Sequence, residues 1–124
     1  MKATLILFAT LLSRLVLASP IPELTPSQVF DQKGCLRIVD VRTPEEFVSD
    51  SGHIEGAVLV TLGEELSDFL KSGNRKERIV FVCRSGKRSA RATEESLRLG
   101  YEATYSMKGG MLEWVAQGLP TTQK

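Results

Sequence analysis

Ile79-Val80-Phe81-Val82-Cys83-Arg84-Ser85-Gly86-Lys87-Arg88-Ser89 is the stretch whose reading decides the fold. Its first four residues lack polar alternation and read as a strand buried on both faces. They stop at a short basic loop, after which a helical pattern runs from Ser89 to Leu99 with Gly100 as its C-terminal stop. Strand, tight turn and helix in direct succession form the unit from which parallel α/β sheets are built. The turn sets a single thiol among backbone N–H groups, a helix N-terminus and cationic side chains. Such surroundings favour thiolate over thiol, and the thiolate is the nucleophile. Cys83 is the candidate reactive residue.

Outward from this unit the chain alternates between strand and helix. Thr25-Pro26 is a helix cap with proline at the first helical position, opening a helix through about Gln32. Arg37 to Val41 reads as a strand, and Thr43-Pro44-Glu45-Glu46 as a capping box that starts a helix near Phe47. Gly52 and Gly56 mark a turn around His53, followed by a short buried strand over Ala57 to Val60. Leu62, Leu66, Phe69 and Leu70 are spaced for a helix that ends at Gly73, and the charges between Glu64 and Arg78 read as a solvated face. A strand around Thr104-Tyr105 and a helix over Met111 to Ala116 close the pattern. The expectation is one α/β domain with a mainly parallel sheet. Ligands on such sheets gather outside the C-terminal strand ends, where Asp40, Arg42 and Cys83 all fall.

The 124 residues suit a single domain, and 42% hydrophobic with 25% charged is ordinary globular composition. The formal charge is +1, of which Lys2 and Arg14 supply two positive charges, so the remainder carries −1. That balance gives no reason to expect nucleic-acid binding. Residues 1–18 read as an export signal: Lys2 precedes the apolar stretch Ala3 to Leu12, and small residues allow cleavage after Ala18. The expected mature domain is 19–124, periplasmic or secreted. The competing reading is an uncleaved membrane anchor, opposed by Arg14, which interrupts the apolar run needed for a stable span. Cys35 precedes its strand whereas Cys83 follows its own, so parallel strands put the two thiols at opposite ends of the sheet. Cys35 is accordingly read as a small filler, not a disulfide partner.

Four separated motifs together resemble the rhodanese-like single-domain sulfurtransferases. They are Asp40-Val41-Arg42 with Glu46-Phe47, the run Gly52-His53-Ile54-Glu55-Gly56-Ala57, the Cys83 to Ser89 loop, and Gly109-Gly110 with Trp114, Gly118 and Pro120. The resemblance spans about residues 22 to 120. It implies a three-layer α/β/α domain whose sheet has about five mainly parallel strands, with Cys83 carrying a transferable sulfur and with no metal or organic cofactor. Loop length separates this family from cysteine phosphatases of the same architecture, which use Cys-x5-Arg. Here Arg88 closes a Cys-x4-Arg loop and Ser89 stands at the longer spacing.

The resemblance further implies sulfur transfer from thiosulfate or a similar donor to cyanide or a thiol through a Cys83 persulfide. Main-chain N–H groups from Arg84 to Ser89 are expected to face the sulfur, with Gly86 supplying the conformational freedom of a tight loop. Arg84, Ser85, Gly86, Lys87, Arg88 and Ser89 are the expected substrate-binding residues, with Arg84 and Lys87 attracting a dianionic donor. The loop departs from the best-known thiosulfate loop by carrying Ser85 in place of a lysine and Lys87 in place of an apolar residue. Asp40 and Arg42 are expected to support the loop from beneath, His53 to stabilise a turn and Trp114 to fill the core. Two other functions fit the same residues: a persulfide carrier for a protein thiol partner, and a phosphatase or arsenate reductase.

Overall fold

The computed structural model describes residues 20–124. The export segment over 1–18 and its cleavage position lie outside the described residues. From Glu23 the chain forms β1 (Glu23–Leu24), α1 (Pro26–Asp31), a 3-10 turn (Lys33–Cys35), β2 (Arg37–Asp40), α2 (Pro44–Phe47) and β3 (Val58–Leu59). There follow α3 (Glu64–Ser72), β4 (Ile79–Val82), α4 (Lys87–Arg98), β5 (Thr104–Met107) and α5 (Gly110–Ala116). All strand pairs are parallel, in the order β1-β5-β4-β2-β3.

Alternation along the strands divides the core into two layers. Val80 and Val82 pack with Val29, Met111 and Trp114 on the face covered by α1 and α5. Ile79, Phe81 and Cys83 pack with Leu66, Leu70 and Ala92 on the face covered by α3 and α4. All four residues of β4 are fully buried, as a central parallel strand requires. The result is the expected three-layer domain with five strands.

Both capping boxes form. Thr25 accepts from the Gln28 N–H and Thr43 from the Glu46 N–H, each with the reciprocal side-chain bond, and proline opens each helix. Six local expectations differ from the structure. α2 ends at Phe47 instead of starting there, because Thr43 caps it and Pro44 is already its first residue. β1 was missed because two residues carry no periodicity; it is a strand only through its pairing with Ser106 and Met107. β3 is shorter than expected and is not buried, because it forms the sheet edge and leaves Val58 exposed. α4 starts at Lys87, two residues before Ser89, because Gly86 adopts φ +103° and serves as the N-cap. Cys35 is exposed in the 3-10 turn and fills nothing. Arg75, assigned to a solvated face, turns inward and donates to the carbonyls of Leu70, Gly73 and Leu99.

The topology fixes where a site belongs. After β2 the chain moves toward the β3 edge, and after β4 it moves the other way, to β5. β2 and β4 are neighbours, with Asp40 opposite Val82. Their C-terminal ends therefore diverge, which opens the crevice where open α/β sheets bind ligands.

Candidate active site

Cys83 leaves the end of β4 into that crevice, and the residue is only 1% exposed. The Gly86 N–H donates to Sγ at 3.0 Å, and the thiol meets the Ser89 hydroxyl at 3.4 Å. Ser89 is held by Ser106 of β5, hydroxyl to hydroxyl at 2.7 Å. The Ser89 hydroxyl also reaches the Gly86 carbonyl at 3.1 Å; when the sulfur is anionic, Ser106 can donate to Ser89 and the one Ser89 proton can turn from that carbonyl to Sγ, because a thiolate only accepts. One backbone and one side-chain donor then address the same sulfur.

The carbonyls of the loop point elsewhere. Cys83 O accepts from the Met111 N–H at 2.8 Å and Arg84 O from the Leu112 N–H at 3.1 Å. The loop is thus anchored on the first turn of α5. Contact there is so close that a Cβ on Gly110, itself at φ +60°, would collide with the backbone of Cys83 and Arg84. The N–H groups of Arg84, Ser85, Lys87, Arg88 and Ser89 meet no protein acceptor among the described residues. Of the six loop N–H groups expected to face the sulfur, only that of Gly86 bonds it; the five free ones are available to an anion beyond it.

The end of β2, next to the end of β4, carries a buried ion pair. Arg42 donates to both Asp40 oxygens, at 2.9 Å through Nε and 2.8 Å through Nη2, and both residues are almost fully buried. Its remaining donors reach the carbonyls of Glu46 and Gly52. Four of the five guanidinium hydrogens are thus engaged, leaving one at Nη1, and the side chain ties α2 and the following turn to the sheet.

Arg88 is also engaged. It forms a bidentate ion pair with Glu46 at 2.7 and 2.8 Å, linking the start of α4 to α2. The Arg88 bond is the main reason the Glu46 carboxyl is lowered to about 2, with Thr43 adding further bonds. Arg84 and Lys87, by contrast, are exposed and have no ion-pair partner among the described residues. Ser85 is exposed, whereas Ser89 lies behind the sulfur. The mouth of the site is therefore cationic through Arg84 and Lys87.

His53 donates from Nδ1–H to the Phe47 carbonyl at 2.7 Å and stacks on the Phe47 ring at 3.5 Å. Its backbone bridges to Thr122. Trp114 is fully buried and donates from Nε1 to Pro120 O. Sequence reasoning gave no role to Ser106 or Gly110, and to the Glu46 carboxylate only its capping bond to Thr43. A motif contained Gly110 and Glu46, but their partners lie 26 and 42 positions away, at Arg84 and Arg88. For Ser106 no local signal existed.

The Rhodanese-like domain family matches residues 26–117. Thiosulfate sulfurtransferase 16 of Arabidopsis thaliana is 35% identical over 96 residues, covering 68% of this chain and 78% of that protein. A Bacillus subtilis protein named as a sulfur carrier is 32% identical over 103 residues; 81% of this chain spans 54% of its length. Among solved structures, a human single-domain sulfurtransferase is 26% identical with a TM-score of 0.70, covering 77% of this chain and 96% of that one. The matched span contains all of the Cys83 loop, the Asp40–Arg42 pair and the helix on which the loop leans, and the chain belongs to the rhodanese-like domain family.

Proposed function

We propose that this protein is a thiosulfate-type sulfurtransferase that works through a persulfide on Cys83. The observation that carries the reading is the loop itself: one buried sulfur with its own N–H donor, five loop N–H groups without a protein acceptor among the described residues, and the exposed cations Arg84 and Lys87 on the same loop. The Cys83 thiolate attacks the outer sulfur of thiosulfate, the S–S bond of the donor breaks, and sulfite leaves with both charges. Arg84 and Lys87 draw in the dianion and offset the charge of the departing sulfite. The persulfide then occupies the loop, where backbone N–H groups and the Ser89–Ser106 hydroxyls stabilise the anionic sulfur. A thiolate or cyanide takes the terminal sulfur and restores Cys83. The relatives named for sulfur transfer and thiosulfate support this reading.

A carrier function, in which the persulfide passes to a protein thiol, is favoured by likeness to the Bacillus subtilis relative. A phosphatase reading is opposed by Arg88, whose fork is already filled by the Glu46 carboxylate. Residues 1–18 are proposed to direct export of the chain.

Mass spectrometry after thiosulfate treatment tests the proposal. Wild type is expected to gain one sulfur atom and release sulfite, while Cys83→Ser gains none. Absence of an adduct on reduced wild type overturns the mechanism. Loading without turnover to cyanide or small thiols selects the carrier, and hydrolysis of an aryl phosphate selects the phosphatase.

A further inference from the structure

Arg88 belongs to the reactive loop by its backbone and to α2 by its side chain. Its N–H is one of those without a protein acceptor, while Nη1 and Nη2 reach across to the two Glu46 oxygens at 2.7 and 2.8 Å. The charge nevertheless stays within reach of the sulfur. The guanidinium is held above its usual range chiefly by the Glu46 bond, and in smaller part by the charges of Cys83 and Asp40. Arg88 is also the least exposed cation of the loop, about one-third open where Arg84 and Lys87 lie in solvent.

Glu46 is positioned for this partner by its own helix cap. The Thr43 N–H and hydroxyl donate to Oε1 at 3.3 and 3.2 Å, so the capping box of α2 orients the carboxylate. The same carboxylate lines a cleft of about 350 Å3 beside the loop, together with Arg42 and Arg84. An acid beside an anion-binding loop weakens its attraction for anions, and does so most at the depth where the acid sits.

Depth separates two kinds of anion. In thiosulfate the sulfane sulfur faces Cys83, so the oxygens lie farther out by one S–S bond, about 2 Å, toward Arg84 and Lys87. An oxyanion without a sulfane sulfur, such as phosphate, has to bring its oxygens against the thiolate. It needs a cation at that depth to offset the repulsion. Arg88 is the loop cation whose charge reaches there, and Glu46 neutralises it.

We propose that Glu46 is a specificity-determining residue of this site, an internal carboxylate that occupies Arg88 and so excludes phosphate-like oxyanions while leaving the loop open to a sulfane donor. The proposal deepens the thiosulfate reading and rests on it.

The test measures the ratio of the Ki of inorganic phosphate to the KM of thiosulfate in the thiocyanate assay. Glu46→Gln keeps the side-chain volume and a carbonyl oxygen for Thr43. It is expected to lower the ratio about tenfold, by releasing a charge-assisted donor pair to phosphate. Glu46→Asp keeps an acid in the first turn of α2 with a shorter reach, and is expected to lower the ratio about threefold even if the amide variant does not fold. The double variant Glu46→Gln, Arg88→Gln is as neutral as the native pair and is expected to return the ratio to within about twofold of wild type. An unchanged ratio in the single variants, a parallel fall in Ki and KM, or a gain that survives the loss of Arg88 overturns the proposal.

A second arm needs no sulfur transfer. On a Cys35→Ser background Cys83 is the one remaining cysteine that iodoacetamide can alkylate. Phosphate is expected to protect it at concentrations about tenfold lower with Glu46→Gln than without. Equal protection overturns the assignment of Glu46 and leaves sulfur transfer standing. Enhanced protection in a protein that takes no sulfur from thiosulfate upholds the exclusion of oxyanions by Glu46 and refutes the persulfide reading instead.

Discussion

The two ends of the sheet carry matching inventories with opposite treatment. At the C-terminal end Cys83 is buried and bonded, and Asp40 and Arg42 form a buried ion pair. At the N-terminal end Cys35 is exposed and unbonded, and Arg37 pairs with Glu77 at 3.2 Å on the surface. Each comparison sets like chemistry against like, a thiol against a thiol and an arginine–carboxylate pair against another; surroundings differ. A thiol becomes a candidate reagent where chain direction gathers N–H donors and cations around it, and an ion pair becomes structural where water is excluded. Parallel strands make this asymmetry, because every turn that leaves a strand toward a following helix lies on one side of the sheet.

The largest expected contrast is between the cysteines. Cys83→Ser should abolish thiocyanate formation, whereas Cys35→Ser should keep the rate within about twofold. A comparable loss in both variants, read in the same thiosulfate–cyanide assay, would break the distinction between the two ends. The ion pairs come next. Asp40→Ala strands a buried guanidinium and should cost about 3–5 kcal/mol in chemical denaturation. Glu77→Ala removes an exposed partner and should cost less than about 1 kcal/mol.

A third contrast runs along one strand. Ser106 holds Ser89 beneath the sulfur, while Thr104, nearer the opposite end of β5, bonds Ser96 at 2.7 Å. Ser106→Ala should lower kcat about tenfold, by removing a donor network that serves the anionic sulfur. Thr104→Val should cost about 1 kcal/mol of stability with kcat unchanged. Equal effects of the two on kcat would deny Ser106 its role.

The smallest effect concerns the link from α4 to α2. Glu46 is lowered from 4.5 to about 2 by Arg88, so its stabilisation is fully present above pH 4.5 and disappears as pH falls toward 2. Both side chains are about one-third exposed, and Arg88→Ala should cost only about 1 kcal/mol near neutral pH. Urea titrations across pH should show the difference from wild type shrinking between pH 4.5 and 2. A constant difference would mean that Arg88 acts through packing alone.

How much of this was legible depended on the distance over which each feature is encoded. β4, the capping boxes and the loop are written in contiguous residues, so periodicity and cap chemistry found them. Cys83 stood out because strand, loop and helix meet at one position. Glu46 and Gly110 act on partners far along the chain, and Ser106 acts through a second hydroxyl, so no window of sequence could reveal them. Arg88 shows the limit most clearly. Its cation belongs to the loop by sequence, yet geometry delivers it to Glu46 and leaves the mouth to Arg84 and Lys87.

The anchoring of the loop carbonyls on α5 has a consequence for anyone who trims or fuses this protein. The last helix is joined to Cys83 and Arg84 by two backbone bonds and by the glycine contact at Gly110, while the chain beyond it clasps His53 through Thr122. Truncation before Gly110 would therefore unfasten the reactive loop and also uncover the face of β4 that packs on Met111 and Trp114. The C-terminal segment works as a keystone, set last in the chain and bearing on the turn that emerges from the middle of the sheet.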